Sequence, residues 1–339
     1  MIRAQRLESG RAVRGLLVVM VLFLAGLAGT AWWWLETPMK VSADTIDLSI
    51  EPGTSPRAVA QDVQDAGVEV NPALLYWWFR LSGQARNIKA GSYELDRQVS
   101  PRRLLSKLVR GEEALRAVTL VEGWNWRQVR EALAHADQLR ADSRGMDNDA
   151  LMAQLGRPGL QPEGRFFPDT YTYAKGSSDL AVLQRALRAM DKKLAAAWSV
   201  RLPDLPLKSP EEALTLASIV EKETARGSDR PLIAAVFINR LRVGMLLQTD
   251  PTVIYGLGER FDGNLRKRDL QADTPWNTYT RPGLPPTPIA MPGKAALLAA
   301  VQPANTRSLY FVAKGDGTSQ FSNTLEEHNR AVNQYQRRP

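Results

Sequence analysis

The sequence predicts an α+β protein in three parts: a single N-terminal transmembrane helix, a small βααβ module and a larger mixed α+β domain. Three observations carry that prediction. A charge-free apolar run fills Leu16–Leu35. After it, helices and short strands mix without the strand–helix–strand regularity of a parallel sheet. And 339 residues exceed what one compact core commonly holds, so two folded domains follow from length.

The apolar run, LLVVMVLFLAGLAGTAWWWL, is twenty residues long. At about 1.5 Å per residue it matches a hydrocarbon core of about 30 Å. Ahead of it Arg3, Arg6, Arg11 and Arg14 face one Glu8, which keeps residues 1–15 in the cytoplasm and sends the rest across. Trp32, Trp33 and Trp34 fall where an aromatic belt meets the outer headgroups. The rival reading is a signal peptide cut near Ala28 or Ala31. The run is longer than a signal core and ends in bulky rings, so an uncleaved anchor at 16–35 is expected, followed by a linker at 36–44.

Residues 45–118 read as the small module. Thr45–Ile50 alternates like a strand. Ser55-Pro56 opens a helix running to Gly67, Asn71-Pro72 a second, and Ser100-Pro101 a third that stops at Gly111. Each start pairs a capping side chain with a proline in the first turn. Ala90–Leu95 returns as a strand. The βααβ order resembles a LysM-like carbohydrate-binding module, and a plain spacer remains the alternative. Trp77, Trp78 and Phe79 are adjacent on a helix and cannot share one face.

Residues 119–339 form the larger domain. Val118–Val121 predicts a strand, Trp126–Ala134 a helix, 141–163 a broken helical stretch and Asp179–Ala197 an amphipathic helix. Ser209-Pro210-Glu211-Glu212 caps a helix expected to run to Arg226 and stop at Gly227. Arg230–Leu241 is another helix, Leu309–Ala313 a strand, and the tail after Asn329 a surface helix.

Composition narrows the chemistry. The absence of cysteine excludes disulfides, thiolate catalysis and cysteine-held metals, and two histidines, His135 and His328, do not make a metal site. No metal and no cofactor is expected. A net charge of +8 calls for an acidic partner, but chromosomal DNA is not expected for a domain outside the membrane.

On the 209–226 helix, Ala213, Leu216, Ala217, Ile219 and Val220 share an apolar arc. Glu223 projects from its middle and Glu221 from its edge, so both carboxyls are expected to be partly buried. Burial raises a carboxyl pKa unless a cation answers it, which suits a general acid. Pairing with Arg226, Arg230, Arg240 or Arg242 is the structural alternative. About 160° apart, the two cannot flank one bond together. Farther on, Gln248-Thr249-Asp250-Pro251 and Trp276-Asn277-Thr278-Tyr279 make rigid polar loops of the kind that bind sugars.

Taken together, Ala217-Ser218-Ile219-Val220-Glu221-Lys222-Glu223-Thr224, Val236–Leu241, Leu247–Tyr255, Asn277–Tyr279, Gly283–Pro286, His328-Asn329 and the upstream Pro162–Tyr171 stretch resemble the membrane-anchored endolytic murein transglycosylases, the YceG-like family. The resemblance runs collinearly over about residues 119–335. It implies cleavage inside the glycan strands of peptidoglycan, leaving 1,6-anhydro-N-acetylmuramic ends, by an enzyme of the bacterial inner membrane. It also implies Glu221 as the one catalytic acid/base, with the muramyl 6-hydroxyl as nucleophile. Asn239, Gln248, Asp250 and Asn277 are expected at substrate hydroxyl or acetamido groups, and Tyr279 against a ring. Glu223, salt-bridged to Arg240 or a neighbour, is expected to prop the site together with Arg240. Peptidoglycan synthases are the partners that the resemblance suggests. A hydrolase of the same polymer and a non-catalytic wall-binding scaffold are the alternatives.

Overall fold

The computed structural model describes the backbone of residues 2–336 and the side chains of 16–336. The basic side chains expected to set topology, Arg3 to Arg14, lie outside the described residues. Contacts divide the chain into two compact units, Met1–Leu115 with Ala174–Gly176, and Arg116–Tyr173 with Ser177–Pro339.

In the smaller unit one helix runs Ile2–Glu36, and its Leu16–Glu36 stretch is long and apolar enough to cross a membrane, with none of it buried. Strand Thr45–Ile50 pairs antiparallel with Gly91–Asp96, Thr45 opposite Asp96 and Ile50 opposite Gly91. Its alternation buries Ile46, Leu48 and Ile50 against helices Pro56–Asp65, Pro72–Leu81 and Pro101–Arg110. The three proline starts are as expected: Ser55, Asn71 and Ser100 each accept a backbone N–H of the first turn. Gly111, at φ +71°, ends the third helix in the left-handed conformation that favours glycine. Phe79 is buried, Trp78 half-buried and Trp77 exposed, the three-way split that helical geometry requires. A further pair, Lys40–Val41 with Val68–Glu69, is too short to leave a period in the sequence.

The larger unit packs helices around Pro210–Glu223. Lys294–Val301, Arg230–Arg242 and Asp179–Ser199 surround it, and every residue from Ala213 to Val220 is buried. The expected one-sided arc is therefore wrong in kind, because a central helix is covered all round. The helix also ends three residues before the expected point. Thr224 leaves at φ −151°, ψ 134°, making Glu223 the last helical residue. The expected strand at 118–121 lies at Leu115–Thr119, paired with Thr170–Ala174. It ends early because a turn closes from Trp124 N–H to Val121 O at 3.2 Å. Three short helices, Asp250–Leu257, Lys267–Gln271 and Lys294–Val301, arise where the sequence reading saw loops or nothing. Tyr310–Ala313 forms an antiparallel hairpin with Ser319–Ser322, and Leu325–Tyr335 follows.

Candidate active site

The two glutamates of the central helix have different surroundings. Glu221, its side chain 5% exposed, holds Arg230 at 2.8 Å through Oε1 and accepts the Gly293 N–H at 2.9 Å on Oε2. Both oxygens are committed, one to a cation and one to the first residue before helix Lys294–Val301. Arg230 reaches Glu122 as well, at 4.0 Å. Such a carboxylate ties three segments together.

Glu223 has a hydroxyl for a partner. Thr249 Oγ1 donates to its Oε1, and burial pushes its carboxyl up to about 7, with Asp250 adding to the rise. Its place at the C-terminal end of a helix, where backbone carbonyls point outward, disfavours a negative charge in the same direction. The expected ion pair with Arg240 is not made. Arg240 is buried and spends its guanidinium on three carbonyls, Leu309 O at 2.7 Å, Leu247 O at 2.8 Å and Leu246 O at 3.3 Å. It fastens backbone instead.

The polar loops meet at Glu223. Thr278 O accepts the Gln248 N–H at 3.0 Å, and Thr278 Oγ1 accepts the Thr249 N–H at 3.1 Å and sits 2.9 Å from Thr252 Oγ1. This network fixes Thr249 against the carboxyl. Gln248 is held at φ +48°, a left-handed conformation costly for a side chain other than glycine, and its side chain is exposed. Tyr279 OH donates to Asp250 Oδ1, and burial raises the phenol pKa. Gln248, Asp250 and Tyr279 are thus brought together. Asn239 and Asn277 are not available to a ligand in the way expected. Asn239 Nδ2 donates to Thr306 O and Ser308 O at 2.9 and 3.1 Å. Asn277 is fully buried, donating to Leu270 O and Ala272 O at 3.0 and 2.6 Å and accepting the Tyr279 N–H at 2.8 Å. Both amides brace loops. His328 stacks on Tyr310, ring centroids 5.2 Å apart.

A cleft of about 970 Å³ is lined by Trp126, Glu163, Lys222, Pro251, Tyr255 and Trp276 among others. Lys222 lies between Glu221 and Glu223 in the chain, and Pro251 follows Asp250.

The sequence model of the YceG-like family matches residues 48–334. The chain belongs to the YceG-like family. A Bacillus subtilis (strain 168) protein named endolytic murein transglycosylase is 31% identical over 320 residues, 89% of this chain and 88% of that protein. A protein of the same name from Streptococcus pneumoniae serotype 2 is 27% identical over 94% of this chain, which spans 65% of that protein's length. A crystal structure of a putative YceG-like protein from Listeria monocytogenes covers 85% of this chain and 98% of its own, with 30% identity and a TM-score of 0.55.

In this YceG-like chain one carboxyl escaped the sequence reading. Glu163, 5% exposed, accepts the Trp126 N–H on both oxygens, at 3.1 and 3.0 Å, and the Tyr255 OH at 3.1 Å. Burial pushes it up to about 7, with the Trp126 N–H, the Tyr255 hydroxyl and the Gly164 backbone working against the rise. Trp126 stacks on Phe166 at 4.9 Å and Tyr255 meets Trp276 edge-on at 5.4 Å. The only signal was the Pro162–Tyr171 stretch within the resemblance. No periodicity marks Glu163, because it sits in a turn between elements.

Proposed function

We propose that this chain is a membrane-anchored endolytic transglycosylase of peptidoglycan, with Glu223 rather than Glu221 as its general acid and base. The observation that carries the assignment is the contrast between the two carboxyls: Glu221 is bound to Arg230, whereas Glu223 sits at about 7 against Thr249, beside Asp250 and Tyr279. A general acid is most useful when its pKa lies near the working pH. The names of the relatives support the substrate and the bond class, and the cleft's aromatic and amide-rich walls suit a glycan strand.

In this reading, protonated Glu223 donates to the glycosidic oxygen between N-acetylmuramic acid and N-acetylglucosamine as the C1–O bond breaks. The Glu223 carboxylate then takes the proton of the muramyl 6-hydroxyl while O6 bonds to C1. One bond is exchanged for another, the proton returns to the carboxyl, and no water is consumed. A single carboxyl suffices because the nucleophile belongs to the substrate. Leu16–Glu36 serves as the anchor in the inner membrane, with both folded units outside the cytoplasm.

The test is digestion of purified sacculi followed by mass spectrometry. Wild-type protein should release anhydro-ended fragments, and Glu223→Gln should lower release by roughly 10²–10⁴-fold with the fold intact. Fragments heavier by one water would identify a hydrolase, and binding without any fragment a scaffold. Full activity in Glu223→Gln with none in a folded Glu221→Gln would return the role to Glu221.

A further inference from the structure

Helix Pro72–Leu81 of the smaller unit is apolar on two sides. Leu75 and Phe79 are fully buried, and the half-buried Trp78 donates its indole N–H to Pro101 O at 3.2 Å. On the other side Leu74, Trp77 and Leu81 stand 55%, 56% and 81% exposed. Positions i, i+3 and i+7 fall on one stripe, so these side chains form one face rather than a scatter. A helix that is apolar all round is normally covered all round.

Charge and tether identify the cover. No aspartate or glutamate occurs between Glu69 and Glu94, while Arg80 lies on the same helix as the stripe and Arg86 and Lys89 follow it in sequence. The matching surface is apolar within and anionic at its rim. That describes the interface of a bilayer containing acidic lipids, where tryptophan and arginine side chains anchor. The tether is short. Met39 is already buried in the small unit's core, its N–H bonded to Val99 O at 2.8 Å, so only Thr37 and Pro38 separate it from Glu36. Two residues reach at most about 7 Å. Glu36 also pairs with Arg102 at 3.0 Å, and Arg102 adjoins Pro101, the residue that Trp78 bonds. The exposed stripe thus belongs to a helix connected within a few contacts to the end of the apolar helix.

We propose that Leu74, Trp77 and Leu81 form a membrane-docking face, seating the small unit in the anionic headgroup layer of the bilayer that Leu16–Glu36 crosses. The proposal rests on the anchor reading given above.

Because the chain has no cysteine, single-cysteine variants label at one place. Full-length Val21→Cys, Leu81→Cys and Gln61→Cys proteins are spin-labelled and reconstituted in nanodiscs of equal phosphatidylglycerol and phosphatidylethanolamine. Collision with oxygen, which concentrates in lipid, is compared with collision with a water-soluble nickel chelate. The oxygen-to-nickel ratio at Leu81→Cys should exceed that at the exposed Gln61→Cys severalfold and approach that at Val21→Cys. A ratio at Leu81→Cys equal to that at Gln61→Cys, with Val21→Cys still in lipid, overturns docking and leaves the anchor standing. Low collision with both reagents at Leu81→Cys means a protein cover and also overturns it. A water-like ratio at Val21→Cys overturns anchor and docking together.

Discussion

Three buried carboxyls on adjoining segments take three different states from their partners. Glu221 faces a guanidinium, Glu223 a threonine hydroxyl, Glu163 an amide and a phenol. Removing one partner of a buried ion pair leaves the other charge uncompensated, so Glu221→Gln should destabilise the larger unit by about 3–5 kcal/mol, read by urea unfolding. Glu223→Gln, which removes no ion pair, should leave the midpoint near wild type while release falls by the roughly 10²–10⁴-fold given above. The same unfolding measurement against pH tests Glu163. Its carboxyl is raised from the ordinary 4.5 to about 7, so the folded state holds the proton more tightly than the unfolded chain. The stabilisation is complete below about pH 4.5 and is lost as pH rises through 7, a change of roughly 3 kcal/mol. Glu163→Gln should flatten that part of the profile, gaining on wild type as pH rises. An unchanged slope would contradict the burial argument.

At the scale of elements, what the sequence disclosed depended on what each element answers to. Helix starts were legible because a capping side chain followed by proline is local chemistry, and Ser55, Asn71, Ser100 and Ser209 all cap as expected. Helix ends were less so: Gly111 stops its helix as expected, but the central helix does not run to its glycine. Glu223 closes its helix because Thr224 turns extended, while Gly227, the visible stop signal, lies beyond it. The amphipathic reading failed on the central helix for a related reason: neighbours from residues 179–301 cover every side of it, and no window of the sequence contains them. The loops at 248–252 and 276–279 were legible as polar loops, and they do meet. Their division of labour was not, since Asn277 and Asn239 look identical to ligand-binding amides until their carbonyl partners are known. Gly164 shows a contact of the same hidden kind. It sits at φ +77°, and a Cβ there would lie 2.4 Å from the Pro288 ring. Gly164→Ala should therefore cost about 2–4 kcal/mol and slow cleavage, since Glu163 precedes it. Unfolding and digestion on the same preparation check both effects.

At the scale of the whole molecule, the two units carry separate cores. Leu48, Phe79 and Leu104 belong to one, Leu216, Phe237 and Leu297 to another. Calorimetry of the chain should show two transitions. Phe79→Ala should shift only the first core's and Phe237→Ala only the second's, each by about 3–5 kcal/mol. A single shared transition moved by both variants would mean the cores unfold as one.

The bond from the Gly293 amide to Glu221 has a bearing on timing. Bonds around the helix span 26 residues from Glu223 to Thr249 and 72 from Glu221 to Gly293. A chain emerging from its N-terminus exposes helix Pro210–Glu223 well before the segments that hold it. Glu223 waits for Thr249, and Glu221 waits for Gly293, which appears only when nearly nine-tenths of the polypeptide is out. For most of the chain's emergence these two carboxyls therefore lack their partners, by the order of its residues alone.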